Sequence, residues 1–559
     1  MEDLTIARTK SACEAPLSIA QILEHGVARA PMQQIVYGTE RRHTYANLAE
    51  RVSRLASALA ALGVAPGHTV AMMDWDSHRY LECFFAVPMM GAVLHTVNVR
   101  ISPEQMLYTI NHAQDDVILV NAEFLPLLGA IHAKIRSGVK LVLINDAPAA
   151  PQTALNFAAE YEAMLERAAP EFAFPGLDEN TRATTFYTTG TTGLPKGVYY
   201  SHRQLVLHTL AVSHAFGNAP HASFTAKDVY MPITPMFHVH AWGLPYVATL
   251  LGVKQVYPGR YVPDVLLGLM AREKVTFSHC VPTILSMMLS SLASQAVDLS
   301  GWKMVIGGSA LPLPLARAAI ERGIDLIGGY GMSETCPILT LAHLTPDLLR
   351  GDEEQNVAHR CKAGRPIPFV QLRIVDAHTN DVPHDGASQG EVVVRTPWLT
   401  QGYLGEPERS EELWRGGWLH TGDVGVIDDA GYLKIVDRIK DVVKTGGEWV
   451  SSLDIEDIIL RVPGVAEAAV IGVPDDKWGE RPVALIVARS GTDAAPTEDA
   501  IRHQVASFVE RGAVSKYAVP DRVYFVDAIP KTSVGKLDKK LIRARLLEQA
   551  AAPAVAHAR

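Results

Sequence analysis

A glycine-, threonine- and lysine-rich tract, TTFYTTGTTGLPKG over residues 184–197, has the composition of a loop that binds polyphosphate. Glycines let backbone N–H groups approach phosphate oxygens, threonine hydroxyls donate further hydrogen bonds, and a lysine supplies positive charge. The candidate phosphate contacts are Thr188, Thr189, Gly190, Thr191, Thr192 and Lys196. Such a tract on its own is more often an ordinary surface loop. It is not a Walker A motif, because Pro195 precedes the lysine and Gly197 follows it, where that motif requires Gly-Lys-Ser/Thr.

Further tracts with chemically useful side chains follow along the chain. They are GYGMSE (329–334), WLHTGD (418–423), GYLKIVDRIK (431–440), KTGGE (444–448) and PKTSVGK (530–536). Their carboxylates can accept hydrogen bonds from ribose hydroxyls or bind a hard cation. The last tract could also be a basic surface cluster, because Lys531, Lys536, Lys539 and Lys540 lie close together in sequence.

Taken together and in this order, the six tracts resemble the motifs of the acyl-adenylate-forming superfamily. That superfamily includes acyl-CoA synthetases, firefly-type luciferases and the adenylation domains of peptide synthetases. The resemblance extends over roughly residues 40 to 545. It implies a ligase that uses ATP, Mg²⁺ and coenzyme A.

The resemblance implies a role for each nucleotide contact. Tyr330 would pack on adenine, Asp423 would accept both ribose hydroxyls and Arg438 would add a ribose contact. Glu334 and the hydroxyl of Thr188 would hold Mg²⁺. The further nucleotide contacts are Gly308, Gly329, Gly331 and Ser333, the last standing where many relatives have threonine.

Two lysines and a glutamate would carry the chemistry. Lys536 would bridge the substrate carboxylate and the α-phosphate while the adenylate forms, with Glu334 and Lys196 as the other catalytic groups. In the family, the small domain then turns about a hinge that matches Asp437. After that turn, Gly446 and Gly447 would border the pantetheine tunnel. Lys440, Lys444 and Trp449 would contact nucleotide or CoA in one state or the other.

The acid is the least determined part of the prediction. The tract MPITPMFHVHAWGLPY (231–246) resembles the medium- and long-chain fatty acyl-CoA synthetases most closely. By that resemblance the acyl contacts are His238, Val239, Trp242 and Gly308. Short, methylthio-substituted and arylalkanoic acids stay open, since one methylene is worth only about 0.8 kcal/mol. An adenylating enzyme with a non-CoA acceptor and a non-catalytic protein that binds nucleotide or lipid stay open as well.

Composition narrows the class of protein. The net charge of −9 argues against nucleic-acid binding. Five scattered cysteines without a C-x-x-C pair favour a reducing cytoplasm. We expect neither a signal peptide nor a membrane span. A homodimer is expected from the resemblance alone.

The hydrophobic periodicity predicts an α/β fold. Thr44 should cap an amphipathic helix that ends at Gly63, and short β-branched runs between helices predict buried parallel strands. We expect a large N-terminal domain over residues 1–436, made of doubly wound α/β subdomains and a β-rich subdomain at about 365–436. A small, mobile α+β domain should follow over residues 437–559.

Overall fold

The computed structural model describes residues 6, 8–39, 41–188, 194–446, 448–489, 495–533 and 535–551. Its first strands are β1 (Gln34–Tyr37), β2 (Arg41–Thr44), β3 (Thr69–Met73), β4 (Val93–Thr96), β5 (Val117–Asn121), β6 (Lys140–Ile144), β7 (Ala159–Glu160) and β8 (Arg182–Thr188). Next come β9 (Lys196–Ser201), β10 (Val229–Pro232), β11 (Lys254–Tyr257), β12 (Phe277–Cys280), β13 (Lys303–Ile306), β14 (Asp325–Gly331), β15 (Ile338–Leu341) and β16 (Arg365–Pro366). The last are β17 (Gln371–Val375), β18 (Gly390–Arg395), β19 (Leu419–Ile427), β20 (Leu433–Arg438), β21 (Val443–Thr445), β22 (Glu448–Val450), β23 (Val465–Asp475), β24 (Gly479–Ala488) and β25 (Arg522–Phe525).

Helices alternate with these strands. They are α1 (Ile19–Arg29), α2 (Tyr45–Ala61), α3 (His78–Met89), α4 (Pro103–Ala113), α5 (Leu125–Ile131), α6 (Tyr161–Arg167), α7 (His202–Gly217), α8 (Val239–Trp242), α9 (Leu244–Leu251), α10 (Pro263–Glu273), α11 (Pro282–Ser290) and α12 (Leu313–Glu321). Further along are α13 (Pro346–Arg350), α14 (Glu353–Arg360), α15 (Pro407–Leu413), α16 (Ser452–Ile459), α17 (Glu498–Glu510) and α18 (Lys539–Ala551). Within these described ranges, no helix combines the length and apolar character that a membrane crossing requires.

Two mostly parallel sheets build the large domain. Over the described residues, the first has nine strands in the order β16-β15-β14-β13-β12-β10-β11-β1-β2 and the second has seven in the order β7-β6-β5-β3-β4-β8-β9. Helix α3 lies between them, because it contacts β1 of the first sheet and β3, β4 and β8 of the second. Every residue of α3 is buried, including Arg79 and Glu82. A helix that is covered all round in this way belongs to the core of a large domain.

The site candidates follow the ends of the parallel strands. Thr188 ends β8, Gly308 follows β13 and the acyl candidates follow β10. Carboxyl ends of parallel strands meet at one edge of a sheet, which is where ligands bind in open α/β folds. Gly308 and the acyl candidates therefore lie at the carboxyl edge of the first sheet, and Thr188 lies at the carboxyl edge of the second.

Several predicted elements are confirmed. Thr44 caps α2 in a capping box, and β3 and β6 pair in parallel with the buried β5 between them. In the small domain, the apolar runs at 468–472 and 483–488 predict two short strands, whereas β23 and β24 extend beyond these runs and form one long antiparallel hairpin. The tract GYGMSE is expected to form a turn after a strand at 325–327. Instead, Gly329–Gly331 continue β14, because β14 exchanges its parallel partner β13 for the antiparallel partner β15 at this point.

The remaining sheets form the β-rich part and the small domain. Strands β17 to β20 make an antiparallel sheet, and β21 to β25 make the sheet of the small domain. The two domains touch at the start of α12, where the backbone N–H of Leu313 donates to the Asp457 carboxylate at 3.0 Å. This contact joins helix α12 of the large domain to helix α16 of the small one.

A buried charged cluster joins β20 to helices α16 and α18 of the small domain. The Asp437 carboxylate accepts the backbone N–H of Ser452 at 2.8 Å and also its hydroxyl. The Lys539 ammonium lies 2.7 Å from the Glu456 carboxylate and donates to the Ser452 hydroxyl. Burial raises the pKa of both Asp437 and Glu456, while Lys539 acts in the opposite direction. The ammonium therefore compensates two carboxylates that have lost contact with water.

Replacing Lys539 by methionine should leave those carboxylates buried without a cation. We expect a loss of about 3–5 kcal/mol in the free energy of unfolding, measured by urea denaturation near neutral pH. The loss should shrink as the pH falls, because protonation removes the uncompensated charge from groups whose folded pKa is raised.

The matched control is Lys540→Ala, which truncates the exposed neighbour. It should change stability by less than about 0.5 kcal/mol. Equal losses in the two variants would contradict the compensating role of Lys539.

Candidate functional site

The predicted phosphate loop connects β8 to β9. These strands pair antiparallel, with Thr188 opposite Lys196. Thr189, Gly190, Thr191 and Thr192 lie outside the described residues. The hairpin therefore places the hydroxyl of Thr188 and the ammonium of Lys196 at the two ends of one short connection.

A tyrosine joins Lys196 to Glu334. The Lys196 ammonium lies 4.3 Å from the centroid of the Tyr403 ring, and the Tyr403 hydroxyl donates to the Glu334 carboxylate at 2.8 Å. Glu334 is buried, and its backbone carbonyl accepts the N–H of Thr400. Burial and the neighbouring carboxylate raise the pKa of Tyr403, so its hydroxyl keeps its proton and stays a donor. These contacts hold a carboxylate beside a cation at the mouth of the β8–β9 connection.

The ribose and adenine candidates form a second connected group. The Tyr330 hydroxyl donates to the Asp423 carboxylate at 2.8 Å, and the Arg438 guanidinium lies 3.3 Å from its other oxygen. Asp423 and Arg438 are paired directly across β19 and β20. Two strands and a tyrosine thus fix the orientation of one carboxylate.

The glycines of β14 permit close packing beneath this group. A Cβ on Gly331 would lie 1.8 Å from the carbonyl oxygen of Pro337, and one on Gly329 would meet the Val305 side chain at 3.1 Å. Next to them, the carbonyl of Ser333 accepts the Tyr200 hydroxyl at 2.6 Å. Any side chain at Gly331 would push β14 away from its partner, so this position requires glycine.

The structure separates the four C-terminal lysines by environment. Lys531 is paired with Glu467 at 2.9 Å, Lys539 is buried beside Glu456 and Lys540 is exposed. Lys536 alone among these four reaches the candidate site, since a Cβ on Gly308 would lie 3.2 Å from its Cε and 3.9 Å from its Nζ. The glycine leaves room for the lysine from the other domain.

The charges around Lys536 are balanced. Loss of water and the nearby guanidinium of Arg438 lower the pKa of Lys536 to about 8, whereas Asp423 and Glu334 favour its charged form. Asp423, which pairs with Tyr330 and Arg438, and Glu334, which accepts from Tyr403, therefore both act on this ammonium. Lys536 therefore lies near enough to Glu334 and Asp423 for both carboxylates to act on its charge.

The acyl candidates lie on the other side of a glycine pair. The Trp242 ring is buried, with its centroid 5.0 Å from that of His279, and a Cβ on Gly307 would meet it at 3.1 Å. Gly307 therefore faces Trp242 while its neighbour Gly308 faces Lys536. Loss of water and the charge of Lys536 lower the pKa of His238 to about 3, so this imidazole is neutral near pH 7.

The backbone around Trp242 is left-handed. Val239, His240, Ala241 and Trp242 have φ values of 48°, 55°, 49° and 60°. Each non-glycine residue in this region costs roughly 1–2 kcal/mol. The segment keeps this conformation because it is enclosed by the core, where all four side chains are buried.

The predicted CoA contacts lie mostly on a hairpin of the small domain. Lys444 and Trp449 are paired across β21 and β22, with the ammonium 6.0 Å from the ring centroid. Gly446 begins the turn with φ of 58°, and a Cβ there would lie 2.5 Å from the Tyr517 ring. Gly447 lies outside the described residues. Lys440 is nearer the nucleotide group, since loss of water and the charges of Arg438 and Lys196 lower its pKa.

Tyr403 was not predicted as a site residue. It stands in the tract TQGYLGEPE, whose glycines and proline indicate only a turn. Nothing local indicates that this turn packs against Glu334, 69 positions away. Gly307 was missed for a similar reason, because its importance comes from the Trp242 ring that approaches it.

Comparisons with known proteins agree with this fold. The family model of the AMP-binding enzyme matches residues 23–404, and that of the AMP-binding enzyme C-terminal domain matches residues 454–536. The chain belongs to the AMP-binding enzyme family.

Three relatives illustrate the similarity. The long-chain-fatty-acid–CoA ligase of Thermus thermophilus is 40% identical over 94% of this chain and 95% of its own. The 3-methylmercaptopropionyl-CoA ligase of Ruegeria lacuscaerulensis is 38% identical over 94% of this chain and 97% of its own. The structure of ATP-bound MatB from Rhodopseudomonas palustris is 26% identical, covers 94% of this chain and 98% of its own, and superposes with a TM-score of 0.78.

Tyr403 offers a direct test of this geometry. Tyr403→Phe keeps the ring beside Lys196 but removes the hydrogen bond to Glu334, and should weaken ATP binding roughly tenfold in a calorimetric titration. Tyr403→Leu also removes the cation–π contact and should weaken binding a few-fold further, by about 0.5–1 kcal/mol.

Tyr432→Phe serves as the control, because its hydroxyl donates to the His343 carbonyl. It should leave ATP affinity unchanged. Unchanged affinity in both Tyr403 variants would show that this tyrosine does not organise the site.

Proposed function

We propose that the protein is an AMP-forming carboxylic acid–CoA ligase whose substrate is a medium- or long-chain fatty acid. The observation that carries the proposal is the approach of Lys536 to Gly308, where the charges of Glu334 and Asp423 also act on its ammonium. The names of the two CoA ligase relatives support CoA as the acceptor. Cytoplasmic location, a homodimer and a role in lipid metabolism stay predictions.

In the first half-reaction a carboxylate oxygen of the acid attacks the α-phosphorus of ATP. The bond from that phosphorus to the bridging oxygen breaks and pyrophosphate leaves. Lys196, Thr188 and the loop residues Thr189 to Thr192 would contact the β- and γ-phosphates. Lys536 would neutralise the charge that develops between the carboxylate and the α-phosphate.

Mg²⁺ is assigned to Glu334 and Thr188. A carboxylate and a hydroxyl, completed by phosphate oxygens and water, form a donor set that suits this hard cation. The contact from Tyr403 to Glu334 supports the fit, since it orients the carboxylate at the mouth of the phosphate loop. The ion would neutralise the charge of the leaving pyrophosphate.

The nucleoside would rest on the second group of residues. Tyr330 would pack on adenine, Asp423 would accept both ribose hydroxyls, and Arg438 would add a ribose contact. Gly308, Gly329, Gly331 and Ser333 would line the backbone beneath it. In the structure, the hydrogen bond from Tyr330 and the ion pair with Arg438 already orient the Asp423 carboxylate.

In the second half-reaction the CoA thiol attacks the carbonyl carbon of the adenylate, AMP leaves and the thiol proton is released. We propose that the small domain turns at Asp437, taking Lys536 away. Lys440, Lys444, Trp449, Gly446 and Gly447 would then approach nucleotide or CoA. The orientation described here, with Lys536 in the pocket, fits the first half-reaction.

The acid would enter between Trp242 and Lys536, with Gly308 beside its carboxylate and His238 and Val239 nearby. The similarity to a 3-methylmercaptopropionyl-CoA ligase favours a short methylthio-substituted acid as the second candidate. A panel of acids separates the two.

The panel should combine the protein with ATP, Mg²⁺, CoA and acids from propionate to palmitate, including 3-methylmercaptopropionate and a phenylalkanoate. We expect acyl-CoA, AMP and pyrophosphate in equal amounts, with the highest kcat/KM for a medium or long chain, measured by mass spectrometry. Free adenylate without thioester would rule out CoA as acceptor. A maximum at 3-methylmercaptopropionate would establish the second candidate.

The pKa of Lys536 predicts a pH dependence. The ammonium is the active form, and burial lowers its pKa to about 8. The kcat/KM for acid-dependent pyrophosphate exchange should therefore fall as the pH rises through about 8. The fall in kcat should come at higher pH, because bound phosphates stabilise the ammonium.

Lys536→Arg provides the control, since a guanidinium stays protonated throughout this range. Its residual exchange activity should lack the alkaline fall in kcat/KM. The same fall in this variant would assign the titration to another group.

A further inference from the structure

The loop that carries Lys536 is bound to the large domain by side chains outside the pocket. The Asn98 amide donates to the Ser533 hydroxyl at 2.9 Å, and the Thr283 hydroxyl donates to the carbonyl of Gly535 at 2.8 Å. The Arg100 guanidinium makes a longer contact of 3.5 Å with the Ser533 carbonyl. These contacts join the two domains within three residues of the lysine.

The loop has little support of its own. Thr532 closes it by accepting the N–H of Lys536 on its hydroxyl and donating its N–H to the Lys536 carbonyl. The N–H of Gly535, whose φ is 83°, also reaches the Thr532 carbonyl. These local bonds define the shape of the loop, but they cannot determine where the loop lies relative to the nucleotide group. That placement requires contacts from outside.

The contact surface on the large domain is already ordered. The Asn98 carbonyl oxygen accepts the N–H of Arg100 at 3.0 Å, which directs its amide nitrogen toward Ser533. The Arg100 guanidinium lies within 6 Å of the ring centroids of Trp75, Phe237 and Tyr261. The surface therefore needs little rearrangement to receive the loop, and preorganised contacts cost less ordering entropy.

The Thr283 hydroxyl does not cap its own helix. Thr283 is the second residue of α11, which begins at Pro282 and has no side-chain cap. Its hydroxyl donates across the domain boundary, and the Val281 side chain would lie 3.5 Å from a Cβ on Gly535. The start of α11 thus forms one wall of the loop site, and Asn98 forms the other.

We propose that Asn98 and Thr283 are positioning residues that act through Lys536, and that they serve the adenylation half-reaction alone. The inference rests on the proposed function. If the small domain turns away after adenylation, these hydrogen bonds between the domains are lost with it. They stabilise the orientation in which the lysine reaches the α-phosphate, and they contribute nothing to thioester formation.

The test uses the intact enzyme with the best acid of the panel and its synthetic adenylate. Thr283→Val deletes the hydroxyl at nearly constant volume and should lower kcat for pyrophosphate exchange about five- to tenfold, the effect of one lost hydrogen bond. The KM for ATP should change little, because the hydroxyl contacts no nucleotide group. Thioester formation from supplied adenylate should stay within about twofold of wild type. Thr283→Ser keeps the hydroxyl and should restore exchange.

Two double-mutant cycles distinguish a positioning role from a general loss of stability. In the Lys536→Ala background, Thr283→Val should cause no further loss of exchange, because the loop then carries no ammonium to place. Asn98→Ala and Ser533→Ala should each slow exchange, and the double variant should be no slower than the slower single one.

Several results would overturn the proposal. They are equal losses in both half-reactions, unchanged exchange in Thr283→Val and Asn98→Ala, or multiplicative effects of Thr283→Val and Lys536→Ala. These three results bear on the proposal once the wild-type enzyme has been shown to form acyl-CoA. Absence of that product would instead refute the proposed function.

Discussion

The interaction on which the remainder of the structure depends is the entry of one lysine ammonium into a pocket that contains two carboxylates and a guanidinium. Lys536 comes from the small domain. Glu334 follows β14, Asp423 lies on β19 and Arg438 ends β20. An ammonium that has lost water is costly unless opposite charge is near. The two carboxylates supply that charge, and they lie ready for the metal and the ribose that the proposed reaction would bring. The stability of this group of charges therefore depends on how the two domains are arranged.

The surrounding fold can be understood as the support for that meeting. Parallel strands bring Gly308 and the acyl candidates to one edge of the first sheet and Thr188 to the carboxyl edge of the second, and β14 continues past the edge of the first sheet into an antiparallel pair that carries Tyr330. Glycines stand where the backbone must approach closely, at Gly331 beneath the nucleotide group and at Gly308 beside Lys536. Tyr403 then ties Glu334 to Lys196.

Sequence reasoning recovered the fold class, the amphipathic helix α2 and the parallel strands, because these follow from periodicity and capping. The candidate residues Glu334, Asp423 and Lys536 came from a resemblance, not from their surroundings, and the structure adds the difference in environment between Lys536 and Lys539. Three-dimensional contacts account for what was missed. Tyr403, Asn98 and Thr283 act on residues 69, 435 and 252 positions away, so no local pattern can reveal them.

The measurement that tests the central claim most directly is a domain cross-link. The backbone N–H of Leu313 donates to the Asp457 carboxylate across the domain boundary. The two positions are therefore adjacent, and a disulfide in Leu313→Cys/Asp457→Cys would hold the orientation in which Lys536 lies beside Gly308. The oxidised enzyme should release pyrophosphate and retain acyl-adenylate but transfer nothing to CoA until a reductant is added, whereas the oxidised Leu313→Cys variant should behave as wild type. If the enzyme with its cross-link intact transferred the acyl group to CoA as fast as it does after reduction, the account would be contradicted.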